Sequence, residues 1–442
     1  MRRFIETLKN IYKIEDLRFR IGTTLFLLLI YRLGSFVSLP GIDPAQLQNL
    51  QSQTSDGLLG LINMFSGGAF AQASIFALGI MPYISASIVI QLMGIAVPYF
   101  QRLQKEGESG RRKINQITRY LTVIILIPQA SAYLANLNVQ LPDSAFAMTG
   151  VWFTIPSIVI LTAGSMFVLW LGERITDKGI GNGISLIIMI GIIARLPQSV
   201  VQEFAQRFES GALVMFLVEF VILFVVFMAS IMLVQGTRRI PVQYAKRIVG
   251  NKQYGGVRQY IPLKVNAAGV MPIIFAQAIM MVPITIVGVA NSENLRGVAA
   301  ALSNMTGVWY NLTQFLLVVA FTYFYTAITV NPTQMAEDMK KNGGFIPGVK
   351  PGKRTVEFLD TVMSRITLPG SIFLGLVTIL PAFAMLIGIS QSFALFYGGT
   401  SLLILVGVVL DTLQQIESHL LMRHYDGLMK SGRIKGRPGG GM

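Results

Sequence analysis

Uncharged apolar runs alternate along the chain with short charged stretches, and the runs have the length of membrane-crossing helices. A hydrocarbon core takes roughly 20 residues of α-helix. Ten segments fit: 21–39, 71–96, 120–137, 151–171, 184–193 with its flanks, 211–235, 265–289, 308–330, 368–387 and 394–410. Two runs, 57–101 and 366–410, are too long for one helix each. The second divides at Ser390-Gln391-Ser392, a turn-forming triplet. In the first, residues 58–65 make only two apolar turns before Ser66-Gly67-Gly68 breaks them, and a full span starts near Ala71. The short piece cannot cross. It either enters from the outer side and turns back, or rests on the outer surface as an interfacial loop. Re-entry implies a cavity, because irregular backbone survives at membrane depth only inside protein or beside water.

Charge orients the spans. Of 36 Lys and Arg residues, 32 fall in the N-terminal arm, the stretches 102–119, 172–183, 236–264 and 338–365, and the tail after Asp411. The opposite loops hold Arg195, Arg207 and Arg296, and Arg32 lies inside a span. The positive-inside rule puts the rich side, with both termini, in the cytoplasm. Charged residues are 13% of the chain, about half the share of a soluble domain. With no cysteine there is neither a disulfide framework nor thiol chemistry. The first twenty residues include Glu6, Glu15 and Asp16 and do not read as a signal peptide. Phe4, Leu8, Ile11 and Tyr12 share a face, which fits a helix on the inner membrane surface; a solvated leader fits equally.

Ten spans divide into five and five. An odd-numbered repeat inserts its second copy inverted, an arrangement that places a site between the halves. The layout is therefore an interfacial helix over 1–20, a first half over 21–194, an external connection over 195–210, a second half over 211–410 and a cytoplasmic tail over 411–442.

Two inner loops are unusually basic. Residues 236–264 carry seven cations and no acid, with Tyr244, Tyr254 and Tyr260 interleaved, and 338–365 carries six cations against three acids. Loops of this length and charge suit RNA phosphates or an acidic protein surface. Positive-inside bias with attraction to anionic lipid is the plainer reading.

Catalytic chemistry is sparse. His419 and His424, the sole histidines, sit in the tail, which removes a membrane Ser-His pair and an HExxH zinc site. No span holds a central Asp. The run from Gly348 to Arg354 mimics a phosphate loop, but its spacing is one short, no Ser or Thr follows the Lys, and no strand is expected before it. An ion-coupled carrier would place ionisable groups near the midplane; only Arg32 and Glu219 lie within spans, both in the outer half, as partnered structural charges. A carrier and a membrane enzyme remain the competing classes.

Specific strings then become readable. They are Phe65-Ser66-Gly67-Gly68, the run from Ser74 to Ser87, the run from Lys105 to Lys113, Gly179-Ile180-Gly181-Asn182-Gly183-Ile184-Ser185, Tyr244-Ala245-Lys246-Arg247, Pro262-Leu263-Lys264-Val265-Asn266, Phe345-Ile346-Pro347-Gly348 and the run from Gly398 to Ile404. In order, over about 20–425, they resemble the SecY/Sec61-alpha family, the channel-forming subunits of the Sec protein translocase.

The resemblance implies an all-α integral membrane protein: ten transmembrane helices in two inverted five-helix halves around an hourglass pore, with a short re-entrant plug helix. It implies an apolar ring at the waist from Ile80, Ile84, Ile184, Ile188, Ile274 and Ile404. Ile80/Ile84 and Ile184/Ile188 are i, i+4 pairs, each on one helix face, and isoleucine is stiff at χ1. The plug would comprise Leu59, Leu61, Ile62, Asn63, Met64, Phe65, Ser66, Gly67 and Gly68, with the two glycines as its hinge. A lateral gate would carry Ser85, Gln129 and Asn266, with proline kinks at Pro82 and Pro272 aiding its movement. Arg238, Arg239, Lys246, Arg247, Arg258, Lys350 and Lys353 would receive the SecA motor ATPase or the ribosome. Lys350 stands where the family usually has arginine and lacks its planar fork. The implied function is passage of unfolded secretory chains across a bacterial inner membrane and sideways release of apolar segments into lipid. Expected partners are SecE, SecG, SecA, the ribosome, signal sequences with their nascent chains, and membrane lipid. Neither cofactor, metal nor enzymatic activity is expected.

Overall fold

The computed structural model describes residues 14–43, 47, 63, 66–146, 150–244, 247–249, 252–254, 258–277, 279–280 and 304–430. They form two compact units, one of residues 1–197 and 408–442 and the other of 198–407.

The first unit begins with α1 (Glu15–Gly34), followed by extended and turn backbone. Then come α2 (Met81–Ala96), α3 (Pro98–Lys105), α4 (Glu108–Gln140), α5 (Val151–Lys178) and most of α6 (Gly183–Glu209). Helix α2 packs on α4, α4 on α5, and α1 on α5. One apolar core joins Leu39, Phe70, Ala77, Leu126, Tyr133, Leu134 and Leu161. The turn after α5 is held by glycine. Gly181 N–H donates to Gln415 Oε1 at 2.9 Å, and Ile180 N–H donates to Thr24 Oγ1 at 3.1 Å. A Cβ on Gly183 would fall on the Gly172 carbonyl oxygen, which is backbone and cannot swing aside.

Gly183→Ala should therefore lower stability by about 1–3 kcal/mol, as overpacking does. Gly407, in the helix α12 (Gly399–Lys430), has nothing within 4 Å of a Cβ, so Gly407→Ala should be neutral or stabilising. Midpoints of thermal aggregation in detergent compare the two; equal midpoints would refute the close approach at Gly183.

The second unit contains the end of α6, α7 (Leu213–Gln235) and a helical stretch over 271–277. It continues with α8 (Val308–Thr329), α9 (Pro332–Lys341), α10 (Lys353–Leu386), α11 (Gln391–Ala394) and the start of α12. Helices α8 and α10 pack extensively on each other. It also holds strands: β1 (Thr237–Tyr244), β2 (Arg247–Val249), β3 (Lys252–Tyr254), β4 (Arg258–Lys264) and β5 (Gly344–Phe345). In one sheet β1 is central, antiparallel to β4 and to β5; β2 and β3 form a separate hairpin.

Among the described residues seven helices are long and apolar enough to span a bilayer, or eight if α2 and α3, bent by 100° across their break, count as one. The other expected spans differ for identifiable reasons. Helix α1 is present, but Glu15, Asp16, Arg18, Arg20 and Arg32 interrupt its apolar run. Beyond residue 280 the expected span 265–289 lies outside the described residues.

Four expectations are corrected. The span 71–96 is helical only from Met81; before it the chain turns, with Ala73 (φ 44°) and Gly79 (φ 53°) in the left-handed region that an α-helix cannot contain. Hydropathy reports burial there, not helicity. Pro82 does not kink a helix: it occupies the first turn of α2, and Pro272 opens the 271–277 stretch, positions where proline costs no hydrogen bond. The stretch 195–209, read as a connection, continues α6 as helix, because its polar positions fall on one helical face and Pro197 does not end it. A strand, β5, does precede the 348–354 run, although the run's spacing and missing hydroxyl still exclude a phosphate loop.

Candidate channel elements and docking surface

In the first unit the turn after Asn63 is bonded from several sides. Tyr31 Oη donates to the Ser66 carbonyl at 3.2 Å, Arg32 Nη1 to the Gly67 carbonyl at 2.8 Å, and Tyr133 Oη to the Phe70 carbonyl at 2.8 Å. Asn63 Oδ1 accepts from Ala71 N–H at 3.0 Å, and its carbonyl accepts from Gly68 N–H at 2.8 Å. The Arg32 guanidinium also lies 5.0 Å from the centroid of the Phe36 ring. Arg32 is thus a partnered structural charge, and its partners are neutral.

This turn sits among the first unit's ring candidates. Gly67 (φ 66°) lies so close to α6 that a Cβ would stand 2.9 Å from Gly191 Cα. Gly191 is one turn beyond Ile188. On the other side, a Cβ on Gly79 would stand 3.8 Å from Ser66 Cα, beside Ile80. Ile84 N–H donates to the Ile80 carbonyl at 3.1 Å, which carries helical spacing back to Ile80. Ile80 and Ile188 are buried, whereas Ile84 and Ile184 are half-buried. Of the plug residues, Asn63 and Ser66 are buried. Gly67 and Gly68 have positive φ. Leu59, Leu61, Ile62, Met64 and Phe65 lie outside the described residues.

In the second unit Ile274 is half-buried and Ile404 buried. Thr400 Oγ1 lies 2.9 Å from Gln277 Oε1 and donates to it, a bond between the turns next to Ile404 and Ile274. The gate candidates differ in their bonding. Ser85 Oγ donates at 3.2 Å to the Met81 carbonyl of its own helix, and Gln129 is half-buried. Asn266 is buried with Oδ1 unpartnered among the described residues. The first two belong to one unit and Asn266 to the other.

The reading by residue type missed a charge cluster in the second unit. Arg207 Nε lies 3.0 Å from Glu203 Oε1, and Arg207 Nη2 lies 2.6 Å from Glu219 Oε1. Glu203 Oε2 accepts from Ser390 N–H at 2.9 Å, and Arg207 Nη2 donates to the Gly388 carbonyl at 2.7 Å. Tyr397 Oη donates to the Glu219 carbonyl at 2.8 Å. The Glu203–Arg207 spacing of i, i+4 was a visible signal, and Glu219 stood out as a charge within a span, but their meeting was not visible.

The two basic loops form one body. Strand β5, from the second loop, pairs with β1 of the first, Gln243 opposite Phe345 and Tyr244 opposite Gly344. Beneath them Ile240, Val242, Leu263, Ala336, Met339, Ile346, Leu359 and Met363 make a small core. Arg238, Arg239, Lys350 and Lys353 are exposed on this body. Lys350 lies in a turn whose carbonyl accepts from Thr355 Oγ1 at 3.0 Å, and Gly352 (φ 104°) caps α10. Arg247 and Arg258 open β2 and β4, and Lys246 lies outside the described residues.

Comparison with known proteins agrees with this architecture. The SecY family model matches residues 74–413. Protein translocase subunit SecY of Streptomyces coelicolor is 42% identical over 95% of this chain and 98% of its own length, and that of Streptomyces griseus is 45% identical over the same shares. A solved structure described as a protein-conducting channel superposes with a TM-score of 0.60 at 18% identity, over 91% of this chain and 92% of that one. Sec61 in a canine ribosome–channel complex gives 0.56 at 17%, over the same shares. Similarity of this extent to curated sequences and channel folds leaves one assignment: the chain belongs to the SecY family.

Proposed function

We propose that this chain is the channel-forming subunit of a Sec translocon, passing unfolded secretory polypeptides across the membrane and releasing apolar segments sideways into lipid. Near-full-length similarity to SecY translocase subunits is the observation that carries this reading. In it, the chain makes ten crossings in two inverted halves of a bacterial inner membrane, with both termini cytoplasmic, in keeping with the 32 cations on one side. Ile80, Ile84, Ile184, Ile188, Ile274 and Ile404 form the waist, and the segment from Leu59 to Gly68 stoppers it from outside. Packing of the Ser66–Gly67 turn against Gly191 and beside Gly79 supports that placement in the first unit. Ser85, Gln129 and Asn266 line the lateral exit; such contacts average about 0.6 kcal/mol, weak enough to yield to a signal sequence.

The docking body receives the SecA motor or the ribosome through Arg238, Arg239, Lys246, Arg247, Arg258, Lys350 and Lys353. Its support is the β1–β5 pairing, which gathers cations from two loops onto one scaffold. SecE and SecG complete the complex. The chain is a passage and not an enzyme, so energy comes from its partners.

The test is transport by proteoliposomes containing the complex. Transfer of a secretory precursor should require SecA and ATP, or a translating ribosome. Saturable uptake of a small solute by the chain alone would instead make it a carrier.

A further inference from the structure

We propose that residues 66–80 are a fixed part of the channel wall, pinned by Tyr31 and Arg32, and that Gly67-Gly68 is not a pivot. The inference rests on the channel reading above and removes the glycine pair as the hinge of its stopper.

The attachments are numerous and come from two helices and a strand-like segment. Tyr31 and Arg32, consecutive on α1, hold the consecutive carbonyls of Ser66 and Gly67. Tyr133 on α4 holds the Phe70 carbonyl. Ser38 and Ser74 face each other in an antiparallel bridge, flanked by Leu39 N–H to the Ala73 carbonyl at 2.8 Å and Ile75 N–H to the Val37 carbonyl at 3.0 Å. Ser66, Ala69, Ala71, Ala73 and Ser74 are all 2% exposed or less.

Glycine at position 67 serves this packing. Its φ of 66° suits glycine, and the approach to Gly191 Cα leaves no room for a side chain. Both facts fix the residue. A pivot there would strip the Gly67 carbonyl from the Arg32 guanidinium, whose other recorded contact is the neutral Phe36 ring. An arginine inside a span deprived of its acceptor is costly. Asn63 closes the knot from its own side, through Oδ1 to Ala71 and its carbonyl to Gly68 and Ser66. Arg32 and Tyr31 are therefore positioning residues: they hold the Ser66 and Gly67 carbonyls in place.

The absence of cysteine permits a clean test. The Ser38–Ser74 bridge is of the non-hydrogen-bonded kind, with Cα atoms about 4.5 Å apart, inside the range a disulfide spans. Ser38→Cys with Ser74→Cys, in the full complex in proteoliposomes, should oxidise readily and translocate a precursor within about twofold of its reduced rate. A loss of about tenfold or more on oxidation, regained with reductant, would show that this segment must move and overturn the proposal. Failure of the pair to crosslink would also count against it, since the bridge would be absent. Separately, Arg32→Met should raise resting ion conductance in planar bilayers several-fold, with Arg32→Lys partly restoring the seal; unchanged conductance in the Met variant removes Arg32 as an anchor. Failure of the channel reading would show elsewhere, in an unmodified complex that moves no precursor.

Discussion

Arg207→Ala is expected to destabilise the second unit by about 3–5 kcal/mol, the cost of removing one partner from a buried ion pair. The geometry puts it at the upper end. The side chains of Glu203 and Glu219 are 0% and 1% exposed, and Arg207 is the cation recorded between them. Its loss leaves two buried carboxylates facing each other and frees the Gly388 carbonyl as well. The turn after α10 would lose that attachment, although Ser390 N–H could still reach Glu203. Arg207→Lys should fall between wild type and alanine, since lysine keeps the charge but cannot reach both acids with a planar fork. Adding Glu203→Gln and Glu219→Gln to Arg207→Ala should recover part of the loss by discharging the orphaned acids. Thermal melting in detergent checks the series. A drop under about 1 kcal/mol for the alanine variant would mean that the cluster behaves as an exposed pair.

Ile84→Ser combined with Ile184→Ser should raise resting ion conductance by about tenfold or more, because an apolar constriction resists ions by shedding water and a hydroxyl keeps it wet. These two positions separate sealing from stability. Both are half-buried, whereas Ile80, Ile188 and Ile404 are buried, so serine there would also open a packing defect. Valine at the same two positions shortens the side chain by one methylene yet stays apolar and β-branched, and should leak little. Single-channel recording of resting complexes is the measurement; equal conductance for serine and valine would remove these residues from the waist.

Much of the fold was legible because a bilayer restricts what a chain can do. Backbone polar groups in hydrocarbon must bond internally, so a long apolar run between charged stretches becomes a helix almost regardless of detail. Hence α4, α5, α7, α8, α10 and α12 appear where hydropathy put spans, and the break between α10 and α12 falls near the expected triplet, although Ser390 caps the short helix α11 and Gln391 and Ser392 lie inside it. Where hydropathy misled, burial came from protein instead of lipid. Residues 66–80 are as apolar as a span, but they are enclosed by α1 and α4 and bonded through their backbone, so they need no helix. The strands of the basic loops were invisible for a related reason: β1 holds Ile240 and Val242 inward against residues about a hundred positions away.

The candidate site divides the same way. Motif strings supplied the proposed ring, plug, gate and docking positions, since these lie in or beside runs of particular residues. Arg32 and Glu219 stood out as charges in apolar surroundings, which is a property of the chain alone. Their partners did not, because Gly67 is 35 residues from Arg32 and Arg207 meets Glu219 from the preceding helix.

The sequence by itself determined that this is a polytopic helical membrane protein with its positive charge concentrated in a few stretches between apolar runs, because span length and local charge are quantities that lipid reads directly. It also determined the SecY family, through strings long enough to be specific. Tertiary structure alone decided that Tyr31 and Arg32 hold the Ser66–Gly67 carbonyls, that Arg207 joins two buried acids, and that two distant basic loops share one sheet. Each of these depends on a hydrogen bond or ion pair between distant residues, and such a bond has no periodicity for a sequence to display.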